Sequence, residues 1–216
     1  MKKLLILGGS GFVGKSFVDC AINKKLVKNN INEIIILSRK IKSKIKKIKH
    51  VKINYVGKNI LNIKNIPEVD YIIYCIKSNN IRTSNAYFNQ FLRLVTSLKK
   101  KPKILFTSSG AVYGVNNTKK KFLEDYNIDL KSIDRFSGYK RAYATEKLFL
   151  EKKFKKLADE NFKVSIARCY TFIGKNIDRE LVKKATLATI YGMSRYNLAT
   201  MLKVNDTKEI VEKEYR

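Results

Sequence analysis

The chain has 216 residues, with 46 Lys and Arg against 18 Asp and Glu, a formal net charge of +28 and a pI near 10.0. A hydrophobic content of 44% with 11% aromatic residues supports one sizeable core and excludes a disordered chain, and no apolar run reaches the roughly 18 residues of a membrane span. Three scattered cysteines (Cys20, Cys75, Cys169) and a single histidine, His50, argue against a disulfide framework, a metal site and His-based chemistry, so the cysteines are expected to be reduced core thiols.

In chain order, KLLIL (3–7) is a short apolar run ending at Gly8, and 12–26 spaces Phe12, Val13, Phe17, Val18, Ala21 and Ile22 at helical intervals. The opening MKKLLILGG has too short an apolar stretch for a signal peptide, which predicts a cytoplasmic protein. EIIIL (33–37) predicts a second strand, and Ile41, Ile45 and Ile48 predict an apolar stripe on a strongly basic helix. Residues 51–56 alternate as a third strand, VDYIIYCI (69–76) is a fourth, 104–107 a fifth following a helix over 85–100, and 164–167 a sixth. The remainder reads as helical segments around Gly192 with a charged tail over 205–216. Apolar strands alternating with amphipathic helices predict an α/β fold, a doubly wound parallel sheet covered on both faces.

GGSGFVG, from Gly8 through Gly9, Ser10, Gly11, Phe12 and Val13 to Gly14, lies between the first strand and first helix. That is the context a dinucleotide fingerprint requires, because the turn and the helix N-terminus bring N–H groups against a pyrophosphate. The acidic residue expected some 20 residues on, as the partner of the adenosine ribose, is missing. The second strand instead runs into Ser38, Arg39 and Lys40, which suit a 2′-phosphate, so NADP is preferred over NAD.

Tyr143 and Lys147 stand four apart in SGYKRAYATEKLFLE and share a helix face. A phenol with an ordinary pKa of about 10 needs a nearby cation to exchange protons at neutral pH, and Lys147 is placed to supply it. Ser109 ends the fifth strand in ILFTSSGAVYG, at the carboxyl edge where open parallel sheets bind ligands.

With these motifs the chain resembles the extended short-chain dehydrogenase/reductase family, in particular its NAD(P)-dependent sugar-nucleotide epimerase/dehydratase group. GGSGFVG resembles the cofactor turn, TSSGAVYG the serine segment, YATEKLFLE the YxxxK helix with Glu151, and ARCYTFIG (167–174) the segment passing the nicotinamide. The resemblance implies a Rossmann-like domain over 1–175, including the catalytic Ser109, Tyr143 and Lys147, and a truncated C-terminal substrate-binding lobe over 176–216. It implies that Tyr143 is the acid/base, that Lys147 binds the nicotinamide ribose and lowers the Tyr143 pKa, and that Ser109 orients the reacting C–O group. Asn59 and Ile60 fall where family members meet the adenine, with Asn59 replacing the usual Asp. Ser109, Gly110, Tyr170 and Thr171 are weaker substrate candidates, Thr171 replacing an Asn. The implied partners are a nucleotide-linked sugar and a second copy, through the 85–100 and Tyr143 helices.

Other departures shape the expectation. Ile76 and Lys77 stand where small residues are usual, and Gly110–Ala111 replaces the Asp-Glu pair of 4,6-dehydratases, which disfavours that reaction. An epimerase or ketoreductase is expected, and Glu124–Asp125 resembles an acidic pair in the stretch before Tyr143. The alternatives are a cofactor-binding but inactive protein and a polyanion-binding protein on the same scaffold. The charge favours the last only weakly: 37 of the basic residues are Lys, and Lys, Ile and Asn make up 81 of 216 positions, a codon-composition signature spread along the whole chain.

Overall fold

The computed structural model describes residues 2–22, 30–48, 51–78, 80–115, 122, 126 and 128–170. The chain divides into two units, Met1–Cys169 and Tyr170–Arg216. The first unit holds β1 (Lys2–Leu7), α1 (Phe12–Ile22), β2 (Ile31–Leu37), β3 (Lys44–Ile48), β4 (Val51–Val56), β5 (Tyr71–Tyr74), α2 (Ile81–Thr96), β6 (Lys103–Ser109), α3 (Leu130–Asp134), α4 (Gly138–Asp159) and β7 (Lys163–Cys169). Short 3₁₀ turns cover Ile60–Asn62 and Gly110–Tyr113.

The seven strands form one sheet in the order β3-β4-β2-β1-β5-β6-β7, parallel except for β3, which runs antiparallel to β4. Apart from β3 this is the doubly wound order, and the chain reverses direction across the sheet between β1 and β5. Successive residues of β1 explain why its apolar run is unbroken. Leu5 and Leu7 pack under α2 and α4 with Tyr74, Phe91, Phe106 and Phe154, while Leu4 and Ile6 pack under α1 with Val18, Ile34, Ile36 and Ile53. Both faces are buried, so no polar residue alternates in. On the first face Phe154 is fully buried, stacked on Phe106 with ring centroids 4.5 Å apart and edge-on to Phe88 at 5.0 Å. Truncating such a side chain to alanine costs about 3–5 kcal/mol, so α4 is fixed firmly against β6.

Two expectations are corrected. The segment with Ile41, Ile45 and Ile48 is not a basic helix, since Lys44–Ile48 is an edge strand and Ile45 is 66% exposed. A helix would stack Lys40 with Lys44, Lys42 with Lys46 and Lys44 with Lys47, and like charges at those spacings destabilise it. The strand separates them. It pairs Lys44 with Tyr55, whose ring the ammonium approaches at 5.2 Å, and Lys47 with Lys52, which Glu33 neutralises at 3.3 Å. The lysines also protect an exposed edge from pairing with another chain. The cysteines are not all core thiols either: Cys20 is exposed and Cys75 and Cys169 are half-buried. Cys20 lies in an apolar stretch of sequence, but on a part of α1 that faces away from the sheet.

Candidate active site

The carboxyl ends of β1, β2, β4 and β5 surround a cleft of about 360 Å³ at the reversal point of the sheet. Its floor is the glycine turn. Gly8 adopts φ +84, and a Cβ there would stand 2.8 Å from the Cys75 carbonyl oxygen, so the turn comes closer to the end of β5 than any other residue allows. At Gly14 a Cβ would lie 2.5 Å from the Gly9 Cα, which is how the first turn of α1 packs directly on the loop. Gly9 faces inward onto Ile36, while Phe12 and Val13 are half-buried at the start of α1. Gly11 is different: a Cβ there would meet nothing of the protein nearer than the Gly8 oxygen at 3.5 Å. The space left by its missing side chain belongs to the cleft, as a site for a pyrophosphate under the helix N-terminus requires.

Ser10 and Ser38 join the turn to the end of β2 through a hydroxyl–hydroxyl hydrogen bond of 2.6 Å, and the Lys40 N–H donates to Ser38 Oγ at 3.3 Å. Arg39 and Lys40 then form one rim and Lys58 and Asn59 another. Asn59 and Ile60 line the cleft, and the Asn59 side chain is engaged, its Oδ1 accepting from the Leu61 N–H at 3.2 Å to cap the Ile60–Asn62 turn. Among the described residues the lining holds Arg39, Lys40, Lys58 and Lys77 and no acidic residue. The residues present therefore fit a dinucleotide carrying several phosphates.

Ser109, Tyr143 and Lys147 converge beside this cleft. Ser109 ends β6 and caps the turn that follows, its Oγ accepting from the Ala111 N–H at 3.2 Å. Tyr143 is largely buried. Burial pushes its phenol above the ordinary value, a side-chain hydrogen bond with Ser109 pulls it back, and Tyr139, Glu146 and Cys169 push it up again. The Lys147 Nζ lies 5.8 Å from the Tyr143 ring centre and 5.1 Å from that of Phe106, and donates to the Thr107 carbonyl at 2.9 Å. With only 4% of the residue exposed, burial holds its pKa below the ordinary lysine value. The sequence expectation gave Lys147 the task of lowering the Tyr143 pKa. The net direction at Tyr143 is upward, because burial outweighs the Ser109 hydrogen bond.

Two buried carboxylates brace the constellation. Glu151, 1% exposed, takes a two-pronged ion pair from Arg168 of β7, with contacts of 2.9 to 3.2 Å, and a hydrogen bond from Ser108 Oγ; Arg168 also donates to the Tyr113 hydroxyl at 2.9 Å. This ties α4 to β6, β7 and the turn after Ser109. Glu146, 2% exposed, accepts from the Ser78 N–H at 3.1 Å and the Ser84 hydroxyl at 2.6 Å, tying α4 to the segment after β5. Sequence reasoning missed Glu146 and Lys58 and noted Lys77 only as a departure, not as a site residue. For the two lysines the usable signal is position, because each closely follows a parallel strand at the carboxyl edge. Gly110 opens the turn after Ser109, and Tyr170 is 50% exposed. Thr171, Glu124–Asp125 and His50 lie outside the described residues.

Comparison with known proteins follows the same line. A family model described as NAD dependent epimerase/dehydratase family matches residues 4–205. No curated protein matches the chain. A dTDP-glucose 4,6-dehydratase from Bacillus anthracis str. Ames in complex with NAD aligns with a TM-score of 0.62 at 20% identity, covering 87% of this chain and 60% of that one. A nucleoside-diphosphate-sugar epimerase from Agrobacterium tumefaciens aligns at 0.58 and 14% identity, covering 86% and 58%. RMD from Pseudomonas aeruginosa complexed with NADPH aligns at 0.53 and 18% identity, covering 84% and 58%. At these identities the likeness establishes the fold. The chain spans about three fifths of the length of these structures.

Proposed function

The chain belongs to the NAD dependent epimerase/dehydratase family, and from that premise we propose that it is an NAD(P)-dependent oxidoreductase or epimerase acting at a carbon of a nucleotide-linked sugar. The observation that carries this reading is the junction of two features: a cation-rimmed cleft over a glycine turn, and Ser109, Tyr143 and Lys147 beside it. Structures of the same fold bind NAD or NADPH, and the cationic rim here supports the second. Arg39 and Lys40 follow β2 where a ribose-binding carboxylate would stand, which favours NADP.

In this reading Gly11 and the start of α1 receive the pyrophosphate, Arg39 and Lys40 the 2′-phosphate, and Asn59 with Ile60 the adenine side. Lys147 holds the nicotinamide ribose. When bound, the cofactor supplies the hydride acceptor or donor. The protein supplies the proton route. Tyr143 as phenolate takes the hydroxyl proton of the sugar as the C–H bond breaks, and as phenol it returns that proton to the carbonyl oxygen in the reverse direction. Ser109, hydrogen-bonded to Tyr143, orients that oxygen. A 4,6-dehydratase is disfavoured because Gly110 and Ala111, not carboxylates, follow Ser109.

The test is binding followed by turnover. Purified protein should bind NADPH more tightly than NADH. Tyr143→Phe should abolish hydride transfer to nucleotide sugars with little change in NADPH affinity. Full turnover by Tyr143→Phe would sink the assignment.

A further inference from the structure

Tyr143, half-buried and with a raised pKa, has the buried ammonium of Lys147 on the same helix face, and that ammonium also donates to a backbone carbonyl. The described groups facing Tyr143 are few. From α4 come Tyr139, Glu146 and Lys147, from β6 Ser109, and from β7 Cys169. Of these only Lys147 is cationic, and its Nζ is held by the Thr107 oxygen. The segment after β5 contributes one more group. The Lys77 Nζ lies 5.5 Å from the Tyr143 ring centre, nearer than that of Lys147 at 5.8 Å, and 4.8 Å from the ring of Tyr139. Lys77 is exposed and also lines the cofactor cleft, and no ion pair among the described residues includes it.

Its position is fixed by the fold. The neighbouring Ser78 is 6% exposed and is fastened to α4 through the Glu146 carboxylate, on the same helix turn as Tyr143 and Lys147. Tyr139 lies nearly parallel to Tyr143, 6.1 Å away, and gives the Lys77 stem a second aromatic wall. Cations hold such places over ring faces.

We propose that Lys77 is a positioning residue for proton transfer, the cation that allows Tyr143 to ionise, and that it shares with Lys147 the task assigned to Lys147 alone. This rests on the reading of Tyr143 as the acid/base. A Lys77 facing both the cleft and Tyr143 places one charge between phosphate-bearing ligand and reacting phenol. Ligand binding and Tyr143 ionisation are thereby coupled through it.

The experiment is titration of Tyr143 by NMR of tyrosine-labelled protein, its signal assigned with Tyr143→Phe, in the wild type, Lys77→Gln and Lys77→Arg. Removing a cation disfavours the phenolate, so the midpoint should rise in Lys77→Gln by about half to two pH units, the Coulomb interaction of unit charges at this separation between bulk-water and near-surface screening. Lys77→Arg should restore it, and the pH profile of turnover should move by the same amount. An unmoved midpoint in Lys77→Gln overturns the proposal, as does a wild-type Tyr143 that stays protonated until the protein unfolds. Weakened NADPH binding with an unmoved midpoint would make Lys77 a phosphate ligand instead and also overturns it. The titration needs no substrate. Absence of turnover in the wild type would therefore count against the enzymatic reading while the Lys77 result still stood.

Discussion

Glu151 offers the sharpest test of what holds the site together. Its carboxylate is 1% exposed and faces Arg168, whose side chain is 13% exposed, through three contacts of 2.9 to 3.2 Å. Replacing it in Glu151→Leu keeps an apolar side chain of similar reach but leaves a largely buried guanidinium without its carboxylate, which costs about 3–5 kcal/mol. At roughly 2–4 °C per kcal/mol for a chain of this size, Tm should fall by about 6–20 °C. The pair, rather than packing, is the cause if Arg168→Leu restores much of that loss in the double variant, because two apolar residues need no counter-charge. Thermal unfolding by circular dichroism on the wild type, both single variants and the double variant closes the cycle, with an expected coupling of about 2 kcal/mol. The sign with pH is also fixed. Hydrogen bonds and charge from Glu151 raise the Arg168 pKa far above the ordinary range, so the stability contributed through Arg168 is full below its unfolded value and would fall only as pH rose through the folded one, beyond any working pH. Alkali up to about pH 10 should leave the Glu151→Leu deficit unchanged. A coupling below about 0.5 kcal/mol, or a double variant as unstable as the sum of the singles, would refute the reasoning.

Three further outcomes are expected. Gly14→Ala should lower stability by about 1–3 kcal/mol through overpacking against Gly9, whereas Gly11→Ala should leave Tm nearly unchanged and weaken NADPH binding in a calorimetric titration, because its Cβ enters only the cleft. Arg39→Ala should weaken NADPH by about tenfold or more, the scale of a charge-assisted hydrogen bond, while leaving NADH nearly unaffected; equal losses for both would remove the 2′-phosphate assignment. A thiol-directed alkylating agent near pH 7.5 should label Cys20 first by mass spectrometry, since Cys20 is exposed whereas burial pushes Cys75 up to about 11 and also raises Cys169.

The parts legible from sequence are those governed by local chemistry. The run KLLIL followed by GGSGFVG fixes strand, turn and helix at once, because only glycine meets the approach of Gly8 to β5 and of Gly14 to Gly9. Tyr143 and Lys147 are four positions apart, and helix geometry alone brings them to one side. The failures come from relations between distant segments. Ile41, Ile45 and Ile48 have helical spacing, but whether Lys44–Ile48 becomes helix or strand depends on the open edge of β4 that receives it. Glu146 looks like a surface residue of a charged helix until Ser78 and Ser84, more than 60 positions earlier, close around it. Lys77 stands out in the sequence only as a departure after the fourth strand, and its role shows when β5 delivers it to the rings of Tyr139 and Tyr143.

The charge of +28 divides by position rather than by count. Some lysines are structural in a weak sense, as with Lys3 and Lys52 flanking Glu33, where burial raises the carboxyl but the two ammonium groups outweigh it and hold it below its ordinary value. Others guard the β3 edge. Neither group requires a ligand, and both agree with a composition that favours Lys wherever a solvated residue is tolerated. The cleft is different in kind. Arg39, Lys40, Lys58 and Lys77 come from three separate inter-strand segments and meet in one concavity with no carboxylate among its described lining residues. In a concave, partly desolvated site their potentials add and are less screened than on an open face. A lysine-rich composition explains why lysines are available at those positions. Their convergence with a glycine turn at the sheet's reversal point is what makes the site suited to a polyphosphate ligand rather than merely basic.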